Sequence, residues 1–256
     1  MKRREFLQTS GVLLAAQAAV PNLLEAAATK TVATTATPAT GRRPLYFTTD
    51  AIARLRQQLA ADRALEPHWS ALLARADAFV QAALVTEEEA RRPAQRGNAA
   101  RARYPQASGQ LVGMGTTLGL AYQITGDERY AAKLRQALLH FAGYEQWCSP
   151  AYNTRTPRWS SELATAAFCY GAAAGYDALH DYLSADDRKR IETAIARLGI
   201  LPALNDWVLP ERRIHALDSM GHNWWAVCIA GPGIAALALL DRDPRAAGWT
   251  RAAEDA

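Results

Sequence analysis

No stretch of this chain alternates apolar and polar residues with a period of two over a useful length, which argues against a β-sheet. Phenylalanine is scarce, five in 256 residues, while half the chain is hydrophobic and rich in alanine. That balance favours closely packed helices over a β-sandwich. Cysteine is scarcer still. Cys148, Cys169 and Cys228 make an odd number, no pair has metal-ligand spacing, and Cys169 and Cys228 lie in apolar helical runs. They are expected as small buried hydrophobes, not as a disulfide framework or a redox centre. No metal site and no cofactor is expected. The net charge of +4 is slight, and no basic block with interleaved aromatics occurs, so nucleic acid is not an expected partner.

The first residues do carry a pattern. Lys2, Arg3 and Arg4 precede an apolar run over 11–20, and Ala26, Ala27 and Ala28 offer small residues for cleavage. This resembles a twin-arginine export signal over 1–28, with Arg3 and Arg4 addressing the export machinery. The apolar run is shorter than the about 20 residues a spanning helix needs, so no stable membrane insertion is expected once the signal is removed. Without Lys2, Arg3, Arg4, Glu5 and Glu25 the chain keeps 26 basic against 23 acidic side chains. A periplasmic or secreted location follows. Residues 29–44, TKTVATTATPATGRRP, lack an apolar period and are expected as a disordered linker.

From residue 45 onward the spacing is helical. Thr48 or Thr49 caps a helix with Ile52, Leu55 and Leu59 on one face, and Pro67 opens a second with Trp69, Leu72, Leu73, Ala76, Phe79 and Val80. The charged stretch 87–103, with Pro93 and Gly97, is expected as an exposed loop or frayed helix. Three turns, at Gly126, Ala185 and Arg242, lie 59 and 57 residues apart. Each follows a helix of small residues and precedes an amphipathic, charged one. This is a weak repeat of helical hairpins. Its physical sense is a ring with the bland helices inward and the charged ones outward. The expected fold class is all-α, an incomplete α/α toroid over 45–256. The irregular stretch 147–159 and the polar loop from Asn205 would meet at one rim.

The stretch 221–240, GHNWWAVCIAGPGIAALALL, has no polar face after Asn223 and is expected as a helix enclosed on nearly all sides. His222 and Asn223 would stand at its first turn, where free N–H groups and the positive dipole end lie. Trp224 and Trp225 are consecutive and cannot share a face, so one is expected in the core and the other against a sugar. Arg158, Trp159 and Glu162 open another inner helix and would line the same cleft. Arg158 suits a substrate carboxylate, or equally an ion pair with Glu162. Tyr152 is a loop-borne contact.

The runs LGLAYQITGDERYAAKLRQAL (118–138), WSSELATAAFCYGAAAGYDAL (159–179), LSADDRKRIETAI (183–195) and HNWWAVCIAGPGIAALALLDRDP (222–244) resemble the N-terminal toroid of the heparinase II/III and alginate lyase superfamily. The resemblance implies β-elimination on an anionic, uronic-acid polysaccharide. It makes His222 and Asn223 the catalytic pair, with Tyr152, Arg158, Trp159, Glu162 and Trp224 binding substrate. An uncharged amide neutralises the uronate carboxylate, a base takes the C5 proton, and a tyrosine in the family protonates the leaving oxygen. Here the order is His-Asn where relatives show Asn before His, so the division of roles between the two stays open. The family's tyrosine and β-sandwich are expected beyond Ala256, which makes this chain a fragment, inactive by itself. Two other readings compete: a glycoside hydrolase on the same toroid, with Glu162 and Asp218 as its carboxylates, and a non-catalytic glycan-binding domain.

Overall fold

The computed structural model describes residues 43–92, 104–208 and 223–255, and among them every regular element is a helix. Residues 1–42 and the stretch 209–222, with His215, Asp218 and His222, lie outside the described residues, as does 93–103.

Several helices start where the sequence supplies a side-chain acceptor or a proline. The Thr48 side chain accepts the Ala51 N–H to cap α1 (Thr49–Ala61), and Pro67 sits in the first turn of α2 (Glu66–Gln81). A capping box of Thr86 and Glu89 opens α3 (Glu87–Arg91), so the first part of the stretch expected as a loop or frayed helix is helix. Next, α4 (Tyr104–Thr125) stops at Gly126, whose φ of +74° falls in the left-handed region that glycine adopts without a Cβ clash. Asp127 caps α5 (Glu128–Ala142). A short α6 (Pro150–Asn153) precedes α7 (Leu163–Leu179). Ser184 caps α8 (Ala185–Ala194), which continues through a π-type turn (Ile195–Ile200), α9 (Leu201–Ala203) and a second π-type segment (Leu204–Val208). The loop expected from Asn205 is therefore helical as far as Val208, because Asp206 and Trp207 are buried there. The last elements are α10 (Asn223–Ala238) and α11 (Ala246–Glu254).

Helix α7 is the centre. Both α4 and α10 pack along it, while α5 packs on α4 and α7, the π-type turn after α8 on α7 and α10, and α11 on α10. The crossings are made at glycines. A Cβ on Gly115 would lie 2.4 Å from the Gly171 carbonyl oxygen, and one on Gly231 would lie 2.4 Å from the Ala166 oxygen. Such distances admit no side chain. Gly115 faces Gly171 and Gly119 faces Ala178, so α4 and α7 run in the same direction. Around them Met114, Leu118, Leu134, Phe141, Phe168 and Leu179 are fully or almost fully buried. Each such side chain stabilises the fold by about 1.5–3 kcal/mol relative to an exposed position.

The expectation of a 221–240 helix enclosed on nearly all sides is corrected. Cys228, Ile229, Gly231, Pro232, Ala235 and Ala236 are buried, but Asn223, Ala226, Val227, Ala230 and Leu237 are exposed. Among the described residues α10 is covered from the side of α7, α11 and the π-type turn. A helix without a polar face carries no mark of which side is left open.

One charge sits inside α7. The buried Asp177 carboxylate accepts the backbone N–H groups of Leu45, Tyr46 and Phe47 at 2.9, 2.7 and 3.0 Å. Arg43 N–H donates to Asp241 at 2.8 Å, so residues 43–47 bridge the ends of α7 and α10.

Candidate functional site

The stretch before α7 is fastened from three sides. Trp147 stacks on Phe168 at 5.2 Å and its indole N–H donates to the Phe141 carbonyl. Thr165 donates its hydroxyl to the Trp147 carbonyl while accepting the Glu162 N–H, and the Glu162 carboxylate accepts the Ala164 N–H at 2.9 Å. Glu162 is thus a buried helix cap, its negative charge at the positive end of α7.

Asp206 supplies the third fastening. One of its carboxylate oxygens accepts the N–H groups of Ser160 and Ser161 at 2.5 and 2.7 Å and the Ser161 hydroxyl at 3.1 Å. Ser161 Oγ in turn accepts the Trp207 indole N–H at 2.9 Å, and Asn205 donates to the other Asp206 oxygen at 2.9 Å. Sequence reading missed both Asp206 and Trp207. The available signal was a carboxylate flanked by Asn205 and Trp207 next to an apolar helix, where a buried charge demands partners.

On this base sits an aromatic cluster. Tyr152 and Trp159 stack with centroids 5.0 Å apart and planes within 10°. Trp207 meets Trp159 edge-on at 6.2 Å. Trp224, at the start of α10, meets Tyr152 at 6.1 Å and Trp159 at 6.3 Å. The structure therefore brings Trp224, in the first turn of α10, to Tyr152, Trp159 and Glu162; Tyr152, expected on a loop, lies in the short helix α6, which Pro150 opens. Tyr152 and Trp159 are buried, Trp224 and Trp225 half-buried, and Asn223 exposed. Arg158 is exposed, and among the described residues it makes no ion pair with Glu162. Arg155 was not singled out from sequence. Its guanidinium carbon lies 4.8 Å from the Tyr152 centroid and 4.5 Å from that of Trp159.

Cys148 and Cys228 pack into the same cluster, and all three cysteines are buried and free. Burial pushes the Cys148 and Cys228 thiols far up, and the Glu162 and Asp206 carboxylates push further. Cys169 is raised by burial alone. At neutral pH these are protonated, weak nucleophiles. Among the described residues no group of three or more His, Cys, Asp and Glu gathers as a metal site.

Among the described residues the protein is all-helical, with an aromatic cluster where the segment before α7 meets the start of α10. No protein-family model matches the chain, and no curated protein matches it.

Proposed function

We propose that this chain is the helical toroid of a polysaccharide lyase that cleaves an anionic, uronic-acid-containing glycan by β-elimination. Export through the pair Arg3 and Arg4 would deliver it to the periplasm or the exterior. One observation carries the reading. Asn223 stands exposed at the first turn of α10, and its neighbour Trp224 lies edge-on to the Tyr152–Trp159 stack. The start of α10 and the segment before α7 thus meet. Consecutive small-residue helices, α4 and α7 running in the same direction and α10 beside them, are also what a toroid of hairpins requires.

The chemistry follows from the residue types. The C5 proton of a uronate becomes acidic only when its carboxylate charge is offset, and the two amide donors of Asn223 supply that without a counter-charge. His222 is the base that removes the proton. Electrons of the C5–H bond form the C4–C5 double bond as the C4–O bond breaks, and an acid protonates the departing oxygen. The whole gene product, incubated with uronate polymers, should release products absorbing through the new double bond. Asn223→Ala should slow this by about a hundredfold or more, the usual cost of one such donor. Unsaturated products from none of the uronate polymers would overturn the proposal. A hydrolase built on Glu162 is less well supported, because that carboxylate is buried against the α7 backbone.

A further inference from the structure

We infer that Arg155, held on the Tyr152–Trp159 stack, is the side chain that binds a carboxylate of an acidic saccharide at this end of the protein. The inference rests on the glycan reading above and adds to it the residue that recognises charge.

Three features single out Arg155. Its backbone is fixed, because Arg155 and Trp159 both donate their N–H groups to the Tyr152 carbonyl, at 3.2 and 3.3 Å. That closes the loop and returns the Trp159 ring onto Tyr152. Its guanidinium lies within cation–π range of both rings at once. An arginine so placed has its plane and stem restrained before any ligand arrives, which lowers the ordering cost of binding.

The donors remain uncommitted. Arg155 is exposed, and among the described residues its side chain makes no hydrogen bond and no ion pair. Contact with ring faces uses none of the five N–H groups, so the fork is available for a bidentate carboxylate. The two buried acids nearby are engaged elsewhere: Glu162 caps α7, and Asp206 holds Ser160, Ser161 and Asn205. Arg158 is equally exposed, but no aromatic ring among the described residues holds it. The rings themselves are buried, which makes them the shelf for a cation more than a platform for a sugar.

The test is calorimetric binding of short alginate and hyaluronan oligosaccharides, and of the same oligosaccharides with carboxyls reduced to alcohols, to the whole gene product. Arg155→Met keeps an apolar stem over the rings and removes the charge. It should weaken binding of the acidic oligosaccharides by about tenfold to a hundredfold, the range for a charge-assisted pair. Binding of the reduced ones should be unchanged, and Arg54→Met, at an exposed position on α1, should stay within about twofold. Arg155→Lys, which keeps charge but loses the planar fork, should recover only part of the affinity, and matched far-UV circular dichroism confirms that each variant is folded. Unchanged affinity in Arg155→Met, or equal loss on acidic and reduced sugars, overturns the inference while leaving the lyase reading intact. Arg155-dependent binding without unsaturated product upholds it and removes the lyase reading. No binding of any acidic oligosaccharide by the unmodified protein overturns both.

Discussion

Gly115 and Gly171 meet backbone to backbone, and a Cβ on either would enter the other helix, 2.4 Å from the Gly171 oxygen or 2.7 Å from the Val112 nitrogen. Neither obstacle is a side-chain tip that can swing aside. Gly171→Ala should therefore lower stability by about 1–3 kcal/mol or more in urea unfolding, as overpacking does. Gly109, exposed in the same helix α4 with nothing within 4 Å of its Cβ position, is the control. Gly109→Ala should raise stability by about 0.5–1 kcal/mol. Equal effects at the two sites would contradict the described crossing.

Asp177 is the only charged residue in α7, and its three N–H partners belong to residues 45–47. Asp177→Ala leaves those donors facing a buried space and should cost about 1.5–3 kcal/mol or more. Limited proteolysis should then cut near residues 43–47 well before the helices, whereas unmodified protein resists there.

The Asp206→Asn substitution keeps the shape of the side chain but replaces an acceptor-only carboxylate with a group that must donate from one side. Ser160 and Ser161 lose part of their anchorage, and the Trp159 and Trp207 rings lose their fixed setting. Near-UV circular dichroism in the tryptophan band should weaken, while far-UV helicity stays. An unaltered tryptophan band would show that the rings are held without Asp206.

A bidentate hydrogen bond from Arg135, at 2.7 and 3.1 Å, holds the Asp187 carboxyl below its ordinary range. The folded value lies below the unfolded one, so the pair stabilises at pH above about 4. That stability is lost as pH falls through the folded value. The difference in unfolding free energy between the parent and Asp187→Asn should be constant at neutral pH and shrink with acidification. Arg135 is half-exposed, so salt should reduce the difference as well. A difference that grows on acidification would reverse the assigned sign.

The three thiols should resist alkylation in the native state at pH 8 and react together once urea unfolds the chain. Mass spectrometry counts the additions. Selective labelling of Cys148 or Cys228 in folded protein would mean that the aromatic cluster opens.

The helices were legible because their signals are local. Asp127 and Ser184 cap, Gly126 turns, and small residues in α4, α7 and α10 mark helices that must approach closely. What escaped is long-range. Val227 and Ala230 have the same apolar character as Cys228 and Ile229, and only the position of α7 decides which pair is covered. The segment 204–208 reads as polar because Asn205 and Asp206 are polar, yet the Asp206 carboxylate is buried against Ser160 and Ser161, 46 and 45 residues earlier. Arg155 lies three residues after one ring and four before another, a spacing with no meaning until the loop folds back. Tyr152, Trp159, Glu162 and Trp224 could be named from sequence, but the burial of the first three could not, and it makes them packed supports of the segment before α7, not open contact surfaces.

Residues 43–47 fasten to Asp177 and Asp241, while Asn223 begins α10 at its other extremity, about 24 Å away for 16 residues of helix. Protein tethered to a resin or electrode through a handle ahead of Arg43 would hang with its tryptophan-rich tip pointing away from the support. Attachment from this side should therefore leave the tryptophan fluorescence of that end unchanged.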